Sequence, residues 1–474
     1  MTEKFTVTIK YNQCESKLSF RKGESLLSLC QKKGIGVTAF CGGRGTCGAC
    51  KVRYLTRAPI PDVWERKRIL PEELRQGVRL LCRTHPIGDC AIEILKGEQP
   101  AIQEALFKLD APPLQDTICI DIGTTTILME YRSAADGQVK DRRMFVNPQC
   151  SFGADVISRL DASLQGMKKE LRDGIRNTIA ININNIMVTN ETAKPRVYIG
   201  ANTAMRYLFA GLDAEEIAKA PFLATHLAEE EYEIETSETI LLVTFLPGFS
   251  AFVGGDIYAD LLALTHTCAL NNGWHLLTDL GTNAETVLFY KDGEHIRGYA
   301  ASCAAGSAFD RPVGTGLWGA ELILLAAKLL KTGVLDPTGA FTVRDEIQSE
   351  LAKENGFSDK HTLQQALRQL QLAKAAVRAG IEILLKRAAL AYENLETVFI
   401  AGGFGTFLDI SAAGDIGLLP AKDTKVISCG NLCILGTAVY AAGHRLNAFL
   451  TTIDLAAEAD FETTYVNCLN YPAI

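Results

Sequence analysis

The 474 residues carry 48 Lys and Arg against 55 Asp and Glu, a net charge of −7, with 47% hydrophobic and 22% charged residues. That is the make-up of an ordinary soluble globular protein, long enough for two to four domains with sizeable cores. No stretch approaches 18 uninterrupted apolar residues and Met1-Thr2-Glu3-Lys4 lacks a signal peptide's hydrophobic region, so no membrane partner is expected and the chain is placed in the cytoplasm.

Residues 1–97 read as a first module. Phe5–Tyr11 alternates at period two and is rich in β-formers, which predicts a strand, with Lys17–Phe20 as its hairpin partner. Glu24–Lys33 has Leu26, Leu27 and Cys30 at helical spacing and stops at Gly34. Then comes Cys41-Gly-Gly-Arg-Gly-Thr-Cys47-Gly-Ala-Cys50, a strand Lys51–Leu55, a short helix Pro71–Gln76, Cys82, and a closing strand Cys90–Leu95. In a reducing compartment, 14 cysteines argue for metal ligands plus buried thiols rather than disulfides. Cys41, Cys47, Cys50 and Cys82 match a [2Fe–2S] site: iron needs soft thiolates, and the intervening glycines wrap the loop with N–H groups free to point at sulfur. A structural zinc site is the competing reading, disfavoured because zinc prefers paired Cys-x₂-Cys knuckles. Cys14, Cys30 and Cys90 lack this setting and read as packing residues. This part resembles the β-grasp ferredoxins.

The charge is unevenly spread. Residues 1–97 hold 18 Lys and Arg against 9 Asp and Glu, a net of +9, and residues 98–474 hold 30 against 46, a net of −16. Without aromatic interleaving or a nucleic-acid motif, the basic part is not read as a DNA or RNA binder. Docking by charge complementarity, with Arg44 and Arg83 as contacts, competes with a merely solvated surface.

Residues 98–115 form a Pro-containing linker, and 116–474 the large domain. Cys119-Ile-Asp121-Ile-Gly123-Thr124-Thr125-Thr126 and Thr278-Asp279-Leu-Gly281-Thr282-Asn283-Ala-Glu285 are two versions of one signal. Each puts a carboxylate at the end of a buried strand, then a glycine, then hydroxyl or amide residues. Glycine removes the Cβ that would block a phosphate, and the Asp holds Mg²⁺, usually through water. Two such loops suggest a duplicated domain closing on one nucleotide triphosphate. Between them the pattern gives helices Val156–Leu164 and Leu171–Val188, a strand-to-helix passage at Val197–Met205, a solvated acidic run Glu229–Glu238, and a helix Ile257–Leu264 entered through Gly254-Gly255-Asp256. Beyond them lie helices Gly319–Leu330 and Leu363–Leu390. Val398–Gly405 is a strand and glycine turn suited to a flat adenine and ribose, and Gly430–Ala438 opens the last main helix.

The order of phosphate loop, Gly-Gly-Asp helix, phosphate loop, Gly-Gly-Phe-Gly turn and Gly-rich helix resembles the actin/sugar-kinase/Hsp70 superfamily. Its two RNase H-like lobes clamp ATP. Helices Gly254–Leu264 and Gly436–Gly443 would then be crossing, hinge-like connections. A β-grasp ferredoxin fused to such an ATPase resembles the reductive activators of corrinoid proteins. Gly200–Met205, Phe252–Asp256, Asp279–Asn283, Leu372–Gly380 and Ala401–Phe404 share in the resemblance. The chain departs from it at Gly306-Ser-Ala-Phe-Asp310-Arg311, and leaves little room for the middle domain of longer members.

The resemblance implies one-electron reduction of Co(II) to Co(I) at the expense of ATP. The partner would be a corrinoid methyltransferase or corrinoid iron–sulfur protein, supplied by an upstream reductant, with a homodimer left open. It implies Asp121 and Asp279 for Mg²⁺. Gly123, Thr124, Thr125, Gly281, Thr282 and Asn283 fall to the phosphates, and Gly402, Gly403 and Phe404 to the adenosine. Asp256 would orient the attacking water, a helix cap or core-facing carboxylate being its competing reading. Ser250 is a candidate contact to cobalt. An electron donor to another low-potential radical enzyme, or a small-metabolite kinase with a redox-sensing ferredoxin, are the alternative functions.

Overall fold

The computed structural model describes residues 4–11, 14–32, 35, 37, 48, 50–95, 112–153, 155–192, 194–281, 283–305, 319–405, 408–419 and 424–472. Among them no helix is long and apolar enough to cross a membrane.

In the first module β1 (Lys4–Tyr11) and β2 (Cys14–Arg21) form the expected hairpin, Phe5 opposite Phe20. With β3 (Lys51–Tyr54), β4 (Val78–Leu80) and β5 (Cys90–Ile94) they make a sheet ordered β2-β1-β5-β3-β4. The alternation puts Val7, Ile9, Val52 and Ile92 on one face, where the helix Leu26–Lys32 buries Leu26, Leu27 and Cys30 against them. This is the β-grasp arrangement. A second helix, Val63–Arg68, was hidden from the sequence pattern by its four charged residues. It is fixed by a capping box in which Asp62 accepts from the Glu65 N–H and Glu65 from the Asp62 N–H.

The large domain holds two six-stranded sheets. The first contains β6 (Thr117–Ile122), β7 (Thr126–Arg132), β8 (Val139–Val146), β9 (Arg196–Ala201), β10 (Glu230–Glu235) and β11 (Ile240–Phe245) in the order β10-β11-β9-β6-β7-β8. The second contains β12 (Gly273–Asp279), β13 (Glu285–Asp292), β14 (His295–Ser302), β15 (Leu395–Ala401), β16 (Val426–Gly430) and β17 (Asn447–Thr452) in the order β16-β15-β12-β13-β14-β17. An antiparallel meander followed by two parallel additions recurs in both, as β8-β7-β6-β9-β11 and β14-β13-β12-β15-β16. The duplication read from the two loops is therefore a duplication of whole lobes. Helices Lys168–Asn190 and Thr203–Ala210 cover the first sheet, and Ala320–Lys331 and Lys360–Ala388 the second.

The acidic run is structured rather than simply solvated. Glu230–Glu235 is the edge strand β10, anchored by Ile234 at 1% exposure, and its glutamates are the charges that keep an open edge from pairing with another chain.

The lobes meet where helix Gly255–Thr267, leaving β11, crosses helix Leu432–Ala441, leaving β16. A Cβ placed on Gly436 would stand 1.8 Å from the Ala259 carbonyl oxygen, so the two backbones touch. A Cβ on Gly200, beneath them on β9, would stand 2.4 Å from Cys433 Sγ. These glycines are required by close approach and not by a turn. Gly436→Ala is expected to cost about 1–3 kcal/mol despite alanine's better helix propensity, because the opposing atom is backbone and has nowhere to go. Thermal melting checks this, and a variant melting at or above the wild-type temperature refutes the contact.

Candidate functional site

Asp121 lies near the end of β6 and Asp279 ends β12, in register with Gly200 on β9 and Ala401 on β15 respectively. The two strand ends face the crossing helices from opposite lobes. Behind the first, the Gly123 N–H donates to the Thr126 carbonyl at 3.0 Å, and a Cβ on Gly123 would approach that oxygen to 2.8 Å. Fully buried Asn147 holds the turn from below, its Nδ2 donating to the Gly123 carbonyl at 2.9 Å and its N–H to the Thr125 carbonyl at 2.9 Å. Asn202 caps the helix Thr203–Ala210 and donates to Thr124 Oγ1 at 3.4 Å. In the second loop Ala284 adopts φ +55°, and a Cβ on Gly281 would meet nothing within 4 Å, which leaves that backbone open to a phosphate. Asn283 is described; Thr282 lies outside the described residues.

Gly402 has φ +88°, and a Cβ there would fall 2.3 Å from Asp279 Oδ1. Glycine is required both for the left-handed backbone and for the carboxylate beside it. Gly403 is open, with nothing within 4 Å of a Cβ, and the Phe404 side chain lies outside the described residues. Rather than remaining a bare turn, Gly402–Gly405 forms one short helical turn.

Asp256 stands at the start of the helix Gly255–Thr267, its Oδ1 accepting from the Ile257 N–H at 2.9 Å. Burial, then the charge of Asp279, push its carboxyl up to about 7. Burial also raises Asp121, partly offset by hydrogen bonds from Asn431 and Cys433. Asp260, one turn after Asp256 and 0% exposed, is held far above the carboxylate range by burial and by the charges of Asp279 and Asp256. Both of its carboxylate oxygens are buried without a hydrogen-bond partner among the described residues, a setting that disfavours the charged form. Glu285, opposite Asp279 on β13, is raised by burial and then by Asp256 and Asp279. This concentration of acid suits a divalent cation. Among the described residues no three acidic, His or Cys side chains are grouped so that they could hold one metal ion.

Sequence reasoning missed Asn147, Asp260 and Asn431. Asn431 caps the helix Leu432–Ala441 by accepting from the Ile434 N–H at 3.0 Å, and its Nδ2 donates to Asp121 Oδ2 at 2.5 Å. Ser250 uses its hydroxyl locally, accepting from the Phe252 and Val253 N–H groups at 3.3 and 3.2 Å.

In the ferredoxin module Cys50 and Cys82 are buried with their sulfurs 3.3 Å apart. Two sulfurs about 2.3 Å from one tetrahedral metal stand about 3.8 Å apart, so a small adjustment lets this pair share one ion. Cys41 and Cys47 lie outside the described residues, as do Arg44 and the Gly306–Arg311 segment. Burial pushes the Cys30 thiol up to about 12 and Cys90 to about 11, so both stay protonated and inert.

Three family models match the chain. They are the 2Fe-2S iron-sulfur cluster binding domain over residues 9–86, the RACo middle region over 117–267, and the C-terminal domain of RACo, the ASKHA domain, over 310–474. The RACo middle region thus falls on the first lobe itself. The corrinoid activation enzyme RamQ of Eubacterium limosum is 26% identical over 420 residues, covering 74% of this chain and 69% of its own. A component of the Na⁺-translocating NADH-quinone reductase of Neisseria gonorrhoeae is 36% identical over 88 residues, which span 19% of this chain and 22% of that protein. A solved structure of a reductive activator for corrinoid, iron-sulfur protein shares the fold, with TM-score 0.63 at 22% identity over 99% of this chain and 98% of its own. The chain accordingly pairs a [2Fe–2S] domain with an ATP-binding ASKHA domain.

Two outcomes are expected. Cys82→Ser lowers iron content and shifts the visible spectrum, whereas Cys30→Ser and Cys90→Ser leave both unchanged; full iron content with an unaltered spectrum in Cys82→Ser would remove it from the ligand set. For Asp256 the folded value lies above the ordinary 3.8, so the folded state holds the proton more tightly and its contribution to stability is lost as pH rises from about 4 to about 7. In magnesium-free protein, Asp256→Asn should therefore gain stability relative to wild type across that window and level off above it. Parallel melting curves for the two proteins at every pH would show that Asp256 does not titrate there.

Proposed function

The chain belongs to the reductive activators of corrinoid proteins, and from that membership we propose that it returns a corrinoid protein from Co(II) to Co(I), one electron at a time, driven by ATP hydrolysis. The observation that carries this reading is the presence in one chain of a buried sulfur pair fit for iron and a two-lobed acid cleft fit for Mg·ATP.

A bound [2Fe–2S] cluster supplies one-electron transfer, with plant-type centres near about −400 mV. The Co(II)/Co(I) couple is expected to lie considerably lower, and each ~59 mV of shortfall costs a factor of ten in equilibrium. One electron leaves the reduced chain and arrives on cobalt, while ATP and water become ADP and phosphate. The hydrolysis supplies the uphill step by favouring the lobe arrangement that binds the Co(I) state or alters cobalt ligation.

In this scheme Cys41, Cys47, Cys50 and Cys82 hold the iron. Asp121 and Asp279 organise Mg²⁺ from the two lobes. Gly123 shapes its turn so that Thr124 and Thr125, with Gly281, Thr282 and Asn283 of the second loop, offer N–H and side-chain donors to the phosphates. Gly402, Gly403 and Phe404 carry the adenosine. Asp256, near neutrality in its proton affinity, orients the water and takes its proton. Asn431 aims Asp121 by its hydrogen bond, and buried Asp260 adds a further acid whose proton affinity the Asp279 charge raises. The partner is a corrinoid iron–sulfur protein or methyltransferase.

The test is to reduce the protein, add a Co(II) corrinoid protein, and follow the Co(I) absorption with and without Mg·ATP. The band should form only with ATP. Asp279→Ala should keep the cluster spectrum and lose ATP turnover by about two orders of magnitude or more. Equal Co(I) formation without ATP, or wild-type turnover in that variant, would sink the proposal.

A further inference from the structure

Among the described residues no strand of the ferredoxin joins either lobe's sheet, yet the module does not stand apart from the ATPase. Its helix Val63–Arg68 presents Trp64 and Arg68, four residues apart and so on one face. Trp64 is half-buried against the hydrophobic core of the second lobe, the core that contains Leu280, Leu322 and Ile323. Arg68 pairs with Glu321 in the first turn of the helix Ala320–Lys331, with side-chain exposures of 33% and 21%. The second carboxylate oxygen of Glu321 is buried and has no hydrogen-bond partner among the described residues, so the guanidinium is what compensates a largely desolvated charge.

The same short helix is tied to the cluster site. Asp62, its cap, pairs with Arg83 beside Cys82 at 2.7 Å. Gly48, between Cys47 and Cys50, has φ +68°, and a Cβ there would lie 3.4 Å from Arg68 Cβ and 3.6 Å from the Arg68 carbonyl oxygen. The helix is thus wedged between the cluster loop and the second lobe. Arg83, exposed beside Cys82, is held by its pair with Asp62.

We infer that the Trp64–Arg68 face is the ferredoxin's docking surface for the second lobe of its own chain, a reversible latch with Trp64 as the apolar anchor and Arg68–Glu321 as the ionic register. The occupant is fixed by the lobe seated on it and by charge: +9 on residues 1–97 against −16 on the remainder. Aromatic and Arg anchors of this kind carry a disproportionate share of small interfaces. Leu280, next to Asp279, and Leu322, next to Glu321, belong to the one core that Trp64 touches, so the docked ferredoxin moves with the second phosphate loop. The latch is electrostatic in part and therefore salt-sensitive, its exposed charges being screened beyond roughly 8 Å at physiological ionic strength.

The test uses the full chain and small-angle X-ray scattering at low and high salt, with cluster absorption and ATP turnover as controls for folding. Trp64→Ala and Arg68→Glu should each raise the radius of gyration at low salt to the value wild type reaches only at high salt. Adding Glu321→Lys to Arg68→Glu should restore the compact value. Should the lysine disturb the start of its helix, Glu321→Gln alone is expected to loosen the chain as Arg68→Glu does. Dimensions unchanged by Trp64→Ala and Arg68→Glu, or a double reversal no more compact than Arg68→Glu, would overturn the latch. No corrinoid protein enters the measurement, so its failure is separate from a failure of the proposed activity.

Discussion

The contact on which the large domain turns is backbone against backbone, where the helix Leu432–Ala441 passes over Ala259 at Gly436. Around it Tyr258 and Leu262 pack with Cys433, Val439 and Tyr440 in one buried cluster. Both helices deliver side chains to the cleft. Asp256 and Asp260 ride on one, and Asn431, which grips Asp121, caps the other. The angle between the lobes is therefore registered directly at the acids, with no intermediate chain of contacts.

Some of this was legible in the sequence because its signals are local. A buried strand, a carboxylate and a glycine within five residues announce a strand-ending turn, and both turns sit where that pattern put them. Gly254 and Gly436 read as close-packing positions, and the helices they belong to do cross. What escaped depends on separation. Asn431 is readable as a helix cap, but its other partner is 310 positions away, and no local pattern encodes that. Asp260 did leave a trace, an acid one turn after Asp256 in an otherwise apolar helix, where only a protonated or paired carboxyl is tolerated. Strand β10 was concealed because an edge strand's defence against aggregation, a row of glutamates, is also the composition of a solvated loop.

Family likeness needs the same scrutiny. The stretch Leu372–Gly380 shares in the resemblance to the activators, and its two cations invite a functional reading. Lys374 instead donates to the Cys468 and Asn470 carbonyls at 2.6 Å each and lies over the Tyr471 ring at 5.2 Å, with burial lowering its ammonium to about 8. Arg378 donates to the Leu419 carbonyl at 3.0 Å and covers the Tyr392 ring at 4.5 Å. The motif clamps residues 468–471 onto the helix Lys360–Ala388. Its charge serves burial of the chain's own backbone carbonyls.

The acids of the cleft repel one another, and protons relieve that repulsion when no cation does. A divalent ion bound between the lobes must displace some of those protons, since it and they compete for the same negative charge. Burial and the charges of Asp279 and Asp256 all favour a proton on Asp260, which is 0% exposed. Asp121 and Asp279, one from each lobe, are thus each matched by a residue of a crossing helix: Asn431 is hydrogen-bonded to the first, and Asp260 is raised by the charge of the second. A rotation about Gly436 would alter both relations together. Under the proposed reaction, a cation that needed both carboxylates at once, through its water shell, would select one angle of the hinge, so that binding it and closing the lobes would be a single equilibrium.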